Sequence, residues 1–306
     1  MLNGVINVYK ERGYTSHDVV AKLRGILHQK KIGHTGTLDP DAEGVLPVCV
    51  GSATKLCDML TDRSKTYRAT LLLGRTTDTQ DVSGKIYRES AVHCTEDELR
   101  DAVLSFTGDY DQLPPMYSAL KVGGQKLVDL ARRGIEVERQ TRRVRIHAIE
   151  IEEISLPRVI MTVDCSKGTY IRTLCHDIGE RLGCGGCMET LLRTRSGRFE
   201  LSGALRLSAI EALSAAGETE RWLMPTDRCL DEYPAVRALP EADRLLHNGN
   251  PVPAALCAPP SAGEHRAGSR CRVYDSSGVF TGLYRLNERA VYRPEKMFCC
   301  AQDIKA

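Results

Sequence analysis

Residues 33–46 read GHTGTLDPDAEGVL, a glycine-rich stretch that holds three carboxylates between apolar flanks. Its spacing matches the start of a calcium-binding EF-hand loop, with Asp39, Asp41 and Glu43 at the first three ligand positions and Gly44 at the position of the turn glycine. The twelfth position is Val50, where such a loop needs a bidentate glutamate, and Pro40 stiffens a chain that has to wrap an ion. The stretch is therefore not interpreted as a calcium site.

A second interpretation treats the same stretch as a plain connector, in which glycines turn the chain and the acids face water. Against it, Pro40 biases the residue before it towards an extended conformation, so the Asp39 carboxylate is expected to project from a glycine-flanked turn. Functional side chains are often carried on loops of this kind. Asp39 is thus a candidate reactive group, although spacing alone leaves open both the connector and the kind of reaction.

The elements on either side of this stretch alternate irregularly between helix and strand. Thr15 and Asp18 form a capping box that predicts a helix to about Lys30. Residues 64–73, SKTYRATLLL, alternate with the period of a strand, and one face is predicted to hold Tyr67, Ala69, Leu71 and Leu73. Residues 31–52 are predicted as loop with a short strand. This irregular order favours an α+β fold over a doubly wound parallel sheet.

Further along, Thr95 and Glu98 are predicted to cap another helix, and a short helix is expected around 127–133. Apolar residues at helical spacing predict a helix over 171–182 that ends at Gly183, a residue type favoured after helix ends. Each of these elements lies within the first three quarters of the chain.

The composition changes from about Pro234. One short helix is predicted in 238–250, and a Pro/Ala/Gly-rich stretch follows it. Short strands are then predicted around YDSSGVF (274–280), GLYRL (282–286) and AVYRP (290–294). We predict one domain over residues 1–236 and a small, mainly β domain over 237–306.

The bulk properties are those of an ordinary globular protein, with 306 residues and 42% hydrophobic content. The sequence lacks both an apolar run of membrane-spanning length and a secretory signal, so we expect a cytoplasmic protein without a membrane partner. Twelve scattered cysteines are expected to be reduced, and the C-x-x-C of Cys184 and Cys187 lacks the further ligands that a zinc site requires. We therefore expect no bound metal, and, without any oligomer signal, a monomer.

A net charge of +2 does not indicate a polyanionic partner, but the local distribution of charge is uneven. The segment 121–145 holds three acidic residues and eight basic ones, which are Lys121, Lys126, Arg132, Arg133, Arg139, Arg142, Arg143 and Arg145. Such density suits phosphate contact, since each neutralised phosphate releases counterions. A merely solvated basic face is the alternative, and the segment alone does not decide between them.

Five stretches, in order along the chain, resemble motifs of the TruB family of tRNA pseudouridine synthases. They are GVINVYKERGYTSHDVV (4–20), GHTGTLDPDAEGVLPVCVG (33–51), KTYRATLLLG (65–74), PPMYSALKVGGQKL (114–127) and CSKGTYIRTLCHDIGERLG (165–183). The tail resembles the small RNA-binding PUA domain that follows in that family. The resemblance implies a pseudouridine synthase fold, with a mixed, largely antiparallel central sheet flanked by helices and a PUA-like C-terminal domain.

The resemblance also implies a reaction. Family members isomerise uridine 55 in the TΨC loop of tRNA by detaching uracil from ribose and rejoining it through carbon 5, without cofactor or metal. Asp39 matches the catalytic aspartate, expected to act as a nucleophile on the sugar carbon. Burial would raise the pKa of such a carboxyl group, so a cation must keep it ionised. Arg172 matches the family arginine that pairs with the aspartate.

Four further residues are implied to bind the substrate, because a stacked base has to be flipped out before it can react. His34 matches the histidine that fills the vacated space in the RNA, and Tyr67 the tyrosine that packs on the flipped ring and has been proposed to move a proton. Tyr170 resembles a pocket residue near the base, and Leu191 part of the apolar wall. The implied partner is the T-arm of tRNA.

Several positions depart from the family pattern. Tyr9 and Glu11 flank Lys10 where Asp-Lys-Pro is usual, Val128 stands where a tyrosine is common, and Leu192 replaces an arginine. The last departure removes an expected RNA contact, which Arg193 or Arg195 could supply instead. None of these departures affects Asp39, Tyr67 or Arg172.

Two other functions compete with the isomerase. One is a tRNA-folding chaperone on the same scaffold, in which clamping and flipping dominate and catalysis is secondary. The other is a hydrolase in which Asp39 and either Asp41 or Glu43 form a carboxylate pair for glycosidic cleavage. Carboxylates so close together in one loop rarely face each other across a sugar, so the hydrolase is the least favoured.

Overall fold

The computed structural model describes residues 1–218, 221–258 and 266–298, in which strands and helices alternate irregularly. The strands are β1 (Gly4–Lys10), β2 (Ile32–His34), β3 (Glu43–Val50), β4 (Lys65–Leu73), β5 (Arg75–Thr77), β6 (Ile86–Glu89), β7 (Gly108–Gln112), β8 (Lys121–Val122), β9 (Gln125–Lys126), β10 (Arg142–Ser155), β11 (Arg158–Cys165), β12 (Gly186–Ser196), β13 (Phe199–Glu200), β14 (Leu223–Met224), β15 (Ala235–Arg237), β16 (Val252–Pro253), β17 (Arg270–Tyr274), β18 (Phe280–Leu286) and β19 (Val291–Met297). The α-helices of these residues are α1 (Ser16–Ile26), α2 (Cys57–Thr61), α3 (Glu96–Leu104), α4 (Leu127–Ala131), α5 (Ile171–Arg181), α6 (Leu207–Ala215) and α7 (Asp243–His247). None of them is long and apolar enough to cross a membrane.

Ten strands form the central sheet, whose main path runs in the order β14, β1, β3, β12, β4, β11, β10 and β7. β2 pairs with β3 and β13 pairs with β12 beside this path. Within the sheet only β3 and β12 run parallel, and the other pairings of its described strands are antiparallel. Helices α3 and α5 bury apolar residues in a shared cluster with β4 and β11, while α1 and α6 do so with β1 and β3. The predicted α+β fold is confirmed.

Strand β4 follows the predicted alternation. Tyr67, Ala69, Leu71 and Leu73 all belong to one buried cluster, which also contains the apolar face of α5. Arg68 lies on the other side, where it forms an exposed ion pair with Glu152 at 2.7 Å. The period-2 pattern therefore identified the buried face of a central strand correctly.

Both predicted capping boxes are present, at Thr15 with Asp18 and at Thr95 with Glu98. Helix α1 ends at Ile26 rather than near Lys30, because His28 adopts a left-handed backbone with a φ of 48°. A histidine in that conformation is uncommon, so composition gave no stop signal at this point. Helix α4 likewise ends at Ala131, two residues before the predicted end.

The prediction of loop and a short strand for residues 31–52 was wrong at its C-terminal half. Eight residues, Glu43–Val50, form β3 in the interior of the sheet between β1 and β12. Apolar clusters cover β3 on both sides, with Leu46 and Val48 in one and Val45 and Cys49 in the other. A strand buried on both faces lacks alternation, so its period-2 signal is lost. The loop itself is confined to residues 35–42.

A second sheet contains five strands in the order β15, β17, β18, β19 and β16, and forms the predicted small β domain. The strand predicted around YDSSGVF was wrong, because β17 ends at Tyr274 and β18 begins at Phe280. The chain turns between them on the Asp275 carboxylate, which accepts hydrogen bonds from the backbone N–H groups of Ser277 and Val279. The predicted domain boundary between residues 236 and 237 stays a prediction.

Ten of the twelve cysteines lie within the described residues, and all ten are free. Seven of these are buried, among them both members of the C-x-x-C, Cys184 and Cys187. Cys299 and Cys300 lie outside the described residues.

Candidate active site

A cavity of about 400 Å³ opens between the loop before Asp39, strand β4, the start of α5 and strand β12. Five of the six residues predicted for the site line this cavity, and they are Asp39, Tyr67, Tyr170, Arg172 and Leu191. These residues are separated by up to 152 positions in the sequence, so the sheet and α5 bring them together. His34 is not among the lining residues.

The geometry at the centre of the cavity is an ion pair between Asp39 and Arg172. Arg172 Nε lies 3.2 Å from Asp39 Oδ2, with 7% of the arginine side chain and 41% of the aspartate side chain exposed. Arg172 is the second residue of α5, so the helix fixes its backbone while its side chain reaches back to the loop. Burial raises the pKa of Asp39, and the Arg172 guanidinium opposes that rise. The carboxylate is thus accessible from the cavity but held by a buried cation.

Arg172 is oriented by more than Asp39. Nη2 donates to the carbonyl oxygen of Tyr117 at 2.8 Å, and Nη1 donates to that of Thr79 at 3.2 Å. Nη1 also lies 3.5 Å from Oδ2 of Asp81, whose side chain is only 16% exposed. Asp81 was missed by sequence reasoning, because the segment TTDTQDVSGK had only the composition of a polar loop. No spacing signal connects it with an arginine that follows 91 positions later.

Side chains of β1 and α1 hold the loop that carries Asp39 in place. Ser16 Oγ accepts a hydrogen bond from the Leu38 backbone N–H at 2.9 Å. Lys10, whose side chain is fully buried, donates through Nζ to the carbonyl oxygens of Pro40 at 3.1 Å and Ala42 at 2.6 Å. Burial lowers the pKa of Lys10 to about 8. Although the residues beside Lys10 differ from the family pattern, Lys10 still contacts the Asp39 loop. It binds carbonyl groups of this loop on both sides of Asp41.

Two tyrosines and a leucine form the walls. Tyr67 lies in β4 and pairs with Arg193 of β12. Burial raises the pKa of Tyr67, and the Arg193 guanidinium opposes that rise. Tyr170 precedes α5, and its backbone N–H and C=O both bond to the Gln112 side-chain amide, at 2.8 and 2.9 Å. Leu191 of β12 pairs with Ala69 and packs against the buried cluster of the sheet. Strand register therefore positions Tyr67 and Leu191, and the side-chain amide of Gln112 positions Tyr170.

His34 is the last residue of β2 and directly precedes the glycine-rich loop. Its ring packs edge-on against His17, with ring centroids 5.2 Å apart, and the Gly36 backbone N–H points at its Nδ1 at 3.4 Å. Burial lowers the pKa of His34, so the imidazole is neutral at neutral pH. A role in filling a gap within RNA stays a prediction for this residue.

Seven of the eight basic residues of the segment 121–145 are exposed, and only Arg139 is partly buried. Arg143 and Arg145 share Asp109 in exposed ion pairs, whereas no ion pair within the described residues includes Lys121 or Lys126. Tyr117 and Val128, which line the cavity, are close in sequence to these lysines. Arg142 lies near enough to Tyr170, and Arg132 to Tyr117, to act on these cavity residues electrostatically, so the basic surface borders the cavity.

Neither suggested replacement for the lost arginine at position 192 is a free surface cation. Arg193 is 99% buried and donates from Nε to the Val45 carbonyl oxygen at 2.6 Å. Arg195 is paired with Asp164 at 2.9 Å and bonds to Thr66 Oγ1. The alternation of β12 could not reveal this, because an arginine in an internal strand is normally read as solvent-facing.

Comparison with known proteins assigns most of the chain to a family. The N-terminal domain model of the TruB family pseudouridylate synthases matches residues 24–171, and the C-terminal domain model of tRNA pseudouridylate synthase B matches residues 172–231. A tRNA pseudouridine synthase B of Lachnoclostridium phytofermentans is 52% identical over 306 residues, which cover 97% of this chain and 100% of the relative. One of Clostridium perfringens is 44% identical over 299 residues, which cover 97% and 99%.

Solved structures support the same fold. An H/ACA RNP bound to a substrate RNA containing 2'-deoxyuridine has a chain that superposes with a TM-score of 0.73 at 26% identity, covering 97% of this chain and 86% of that one. A chain of a Cbf5-Nop10-Gar1 complex gives a TM-score of 0.71 at 28% identity, covering 98% and 86%. The similarity extends over both sheets, so the predicted fold with its PUA-like C-terminal domain is confirmed.

Proposed function

We propose that this chain, which belongs to the TruB family of pseudouridylate synthases, converts uridine 55 in the TΨC loop of tRNA to pseudouridine. Its activity as an isomerase of uridine in tRNA follows from the family and from the similar tRNA pseudouridine synthase B enzymes, which match over almost their whole length. The specific uridine and the roles of the residues are our proposal. The observation that carries it is the Asp39–Arg172 ion pair at 3.2 Å inside a cavity of base size.

Asp39 is the proposed nucleophile. Its carboxylate attacks C1′ of the ribose, and the bond between C1′ and N1 breaks with its electron pair leaving on the uracil ring. The detached ring turns so that C5 faces C1′, C5 attacks, and the carboxylate is released. C5 then loses its proton, while N1 gains one. The atoms balance, so the reaction requires no cofactor.

Arg172 is the proposed positioning residue for this nucleophile. Burial disfavours the anionic form of Asp39, and a guanidinium at 3.2 Å is what keeps it available at neutral pH. The bonds of Arg172 to the carbonyl groups of Thr79 and Tyr117 limit its rotation, so the carboxylate keeps one face for the sugar. Preorganised charge of this kind is usually a large contribution to catalysis.

The remaining predicted residues bind the flipped nucleotide. Tyr67 packs on the ring, and its raised pKa keeps the phenol protonated, so it acts as a hydrogen-bond donor before it acts as a base. Tyr170 and Leu191 form the wall, and neutral His34 stacks in the gap that the base leaves in the RNA. The exposed basic segment beside the cavity and the PUA-like domain hold the tRNA backbone.

The hydrolase alternative receives no support from the geometry. Asp41 is exposed and lies 3.5 Å from Arg12, and Glu43 accepts a hydrogen bond from the Tyr9 hydroxyl at 3.2 Å. Neither lines the cavity, so neither can pair with Asp39 across a sugar. The chaperone alternative is compatible with the same surface and is separated by the experiment below.

The test is chemical mapping of pseudouridine in an unmodified tRNA transcript incubated with the purified protein. We expect one modified position, uridine 55, without ATP or added metal, and none with Asp39→Asn. Asp41→Asn is the matched control, since it removes an exposed carboxylate from the same loop. Modification that persists in Asp39→Asn contradicts the proposed nucleophile, and free uracil as product supports the hydrolase. Refolding of tRNA that survives in Asp39→Asn shows a chaperone activity beside catalysis.

A further inference from the structure

Arg193 is a second buried arginine at the cavity, and the reaction described above does not use it. It lies in β12 between β4 and β3, where Tyr67 is its partner on one side and Gly44 on the other. A side chain at position 44 would meet the Arg193 carbonyl oxygen at 2.3 Å, so glycine there allows the two backbones to approach. Arg193 lines the cavity with 1% of its surface exposed.

The hydrogen bonds of Arg193 are incomplete. A guanidinium has five N–H donors, and Arg193 uses Nε for the Val45 carbonyl oxygen and also hydrogen-bonds to the Tyr67 side chain, whereas Nη2 is buried without any hydrogen-bond partner among the described residues. No ion pair between described residues includes it. Arg172 has the opposite arrangement, because two carboxylates and two carbonyl groups surround it. A buried charge without such partners is costly unless a ligand supplies an acceptor.

Other polar groups line the same cavity. Ser118 is 5% exposed, and its side chain hydrogen-bonds to that of Tyr170. Lys65, at the start of β4, adds a further buried cation, and burial together with the nearby Arg193 lowers its pKa to about 8. The cavity therefore combines the unpaired Nη2 of Arg193 with excess positive charge around Tyr67.

The position restricts what the acceptor can be. Backbone phosphates of a bound RNA stay at the protein surface, where the exposed basic segment lies. Arg193 lies deep in the sheet, beside the tyrosine proposed to pack on the flipped ring, so only the base itself can reach it. A pyrimidine ring offers two carbonyl oxygens, and both gain negative charge when the ring leaves with the electron pair of its bond to C1′.

We propose that Arg193 Nη2 donates a hydrogen bond to a carbonyl oxygen of the flipped pyrimidine and stabilises the negative charge that develops there as the bond from N1 to C1′ breaks. This inference rests on the proposed function and adds a catalytic residue to it. In the free protein, the bond from Nε to Val45 fixes the guanidinium, so its position requires little reorganisation when the charge appears.

The competing account is structural, with Arg193 serving only to fasten β12 to β3. The experiment that separates the two measures single-turnover conversion on three tRNAs, with uridine, 2-thiouridine or 4-thiouridine at position 55. Sulfur accepts hydrogen bonds less well than oxygen, so a contact to one carbonyl group weakens with one of the two analogues only. The variants are Arg193→Gln and Arg193→Lys, and the control is Arg68→Gln, which removes an exposed arginine beside Tyr67 on the other face of β4.

We expect Arg193→Gln to slow conversion of uridine by about 100-fold or more, as removal of one preorganised donor does, with little change in the Kd for tRNA. Arg193→Lys should recover part of the rate, because it retains a cation. With one thio analogue the wild-type rate falls and the penalty of Arg193→Gln shrinks, while the other analogue keeps the full penalty. The analogue with the reduced penalty identifies the carbonyl group that Arg193 contacts.

An equal penalty for all three substrates overturns the proposal and leaves Arg193 a structural role, as does an unchanged rate in Arg193→Gln. Urea unfolding of each variant checks that it is folded. Should neither variant fold, the wild-type rates decide, because a contact requires that one analogue be slower than uridine, and two unaffected analogues overturn it. Failure of the function itself looks different, since wild type would then leave uridine 55 unmodified.

Discussion

The cavity and the basic segment 121–145 both depend on cationic side chains, but they use the charge differently. In the cavity, Arg172 is nearly inaccessible and has four protein partners that fix its direction. On the segment, Lys121 and Lys126 are exposed and free to move with a ligand. Buried charge in a low-dielectric site acts over short distances with fixed geometry, whereas exposed charge is screened by salt and acts mainly on association. The cations of the cavity should therefore control the rate of reaction, and those of the basic segment should control the affinity for RNA.

The largest effect is expected at the centre of the cavity. Asp39→Asn removes the nucleophile without changing its size, so the single-turnover rate on unmodified tRNA should fall on the order of 10⁴-fold or more. Binding of tRNA, measured by filter retention, should be nearly unchanged. A comparable loss in Asp41→Asn would remove the distinction between the two carboxylates.

The second effect concerns the cation beside the nucleophile. Arg172→Gln should lower the single-turnover rate by about 10²–10³-fold, because the carboxylate loses its charged partner and its fixed direction. Affinity for tRNA should change much less than the rate. Equal losses in rate and affinity would place Arg172 with the surface cations instead of the cavity cations.

A smaller effect is expected where the loop is anchored. Lys10→Met leaves the buried carbonyl oxygen of Ala42 without its donor, at a cost of about 1–3 kcal/mol, while that of Pro40 keeps its hydrogen bond from the Gly13 backbone N–H. The free energy of unfolding from urea titration should fall accordingly, and the rate should fall less than in Arg172→Gln. Unchanged stability would contradict the anchoring role of Lys10.

The smallest effect on catalysis is expected at the basic segment. The double variant Lys121→Ala, Lys126→Ala should keep the single-turnover rate at saturating protein. The slope of log affinity for tRNA against log salt concentration should become shallower by about one for each lost phosphate contact. Lys85→Ala with Arg100→Ala, two exposed cations elsewhere, is the matched control. An unchanged slope would favour the solvated basic face.

Sequence reasoning predicted what local chemistry determines. The capping boxes at Thr15 and Thr95 and the buried face of β4 follow from nearest neighbours along the chain, and the structure contains all three. The irregular order of helices and strands indicated the α+β class, but the pseudouridine synthase fold and the proximity of Arg172 to Asp39 were predicted only through the resemblance of ordered motifs. No local rule connects two residues 133 positions apart.

What the sequence did not reveal depends on register and burial. Asp81 contacts Arg172 from a loop with ordinary polar composition, and Arg193 was expected to be a candidate surface contact. Its burial follows from the pairing of β12 with β3 and β4, which alternation within one strand cannot indicate. Strand β3 was underestimated for the related reason that both of its faces are covered.

The most direct test is the pH dependence of the single-turnover rate in wild type and Arg172→Gln between about pH 5 and 9. The reactive form of Asp39 is the anion, so the rate should fall as pH falls through the pKa of Asp39. Because Arg172 lowers that pKa against the effect of burial, the midpoint of the fall should move to higher pH in Arg172→Gln. An acid limb that stays at the same pH in both proteins would contradict a carboxylate kept ionised by Arg172.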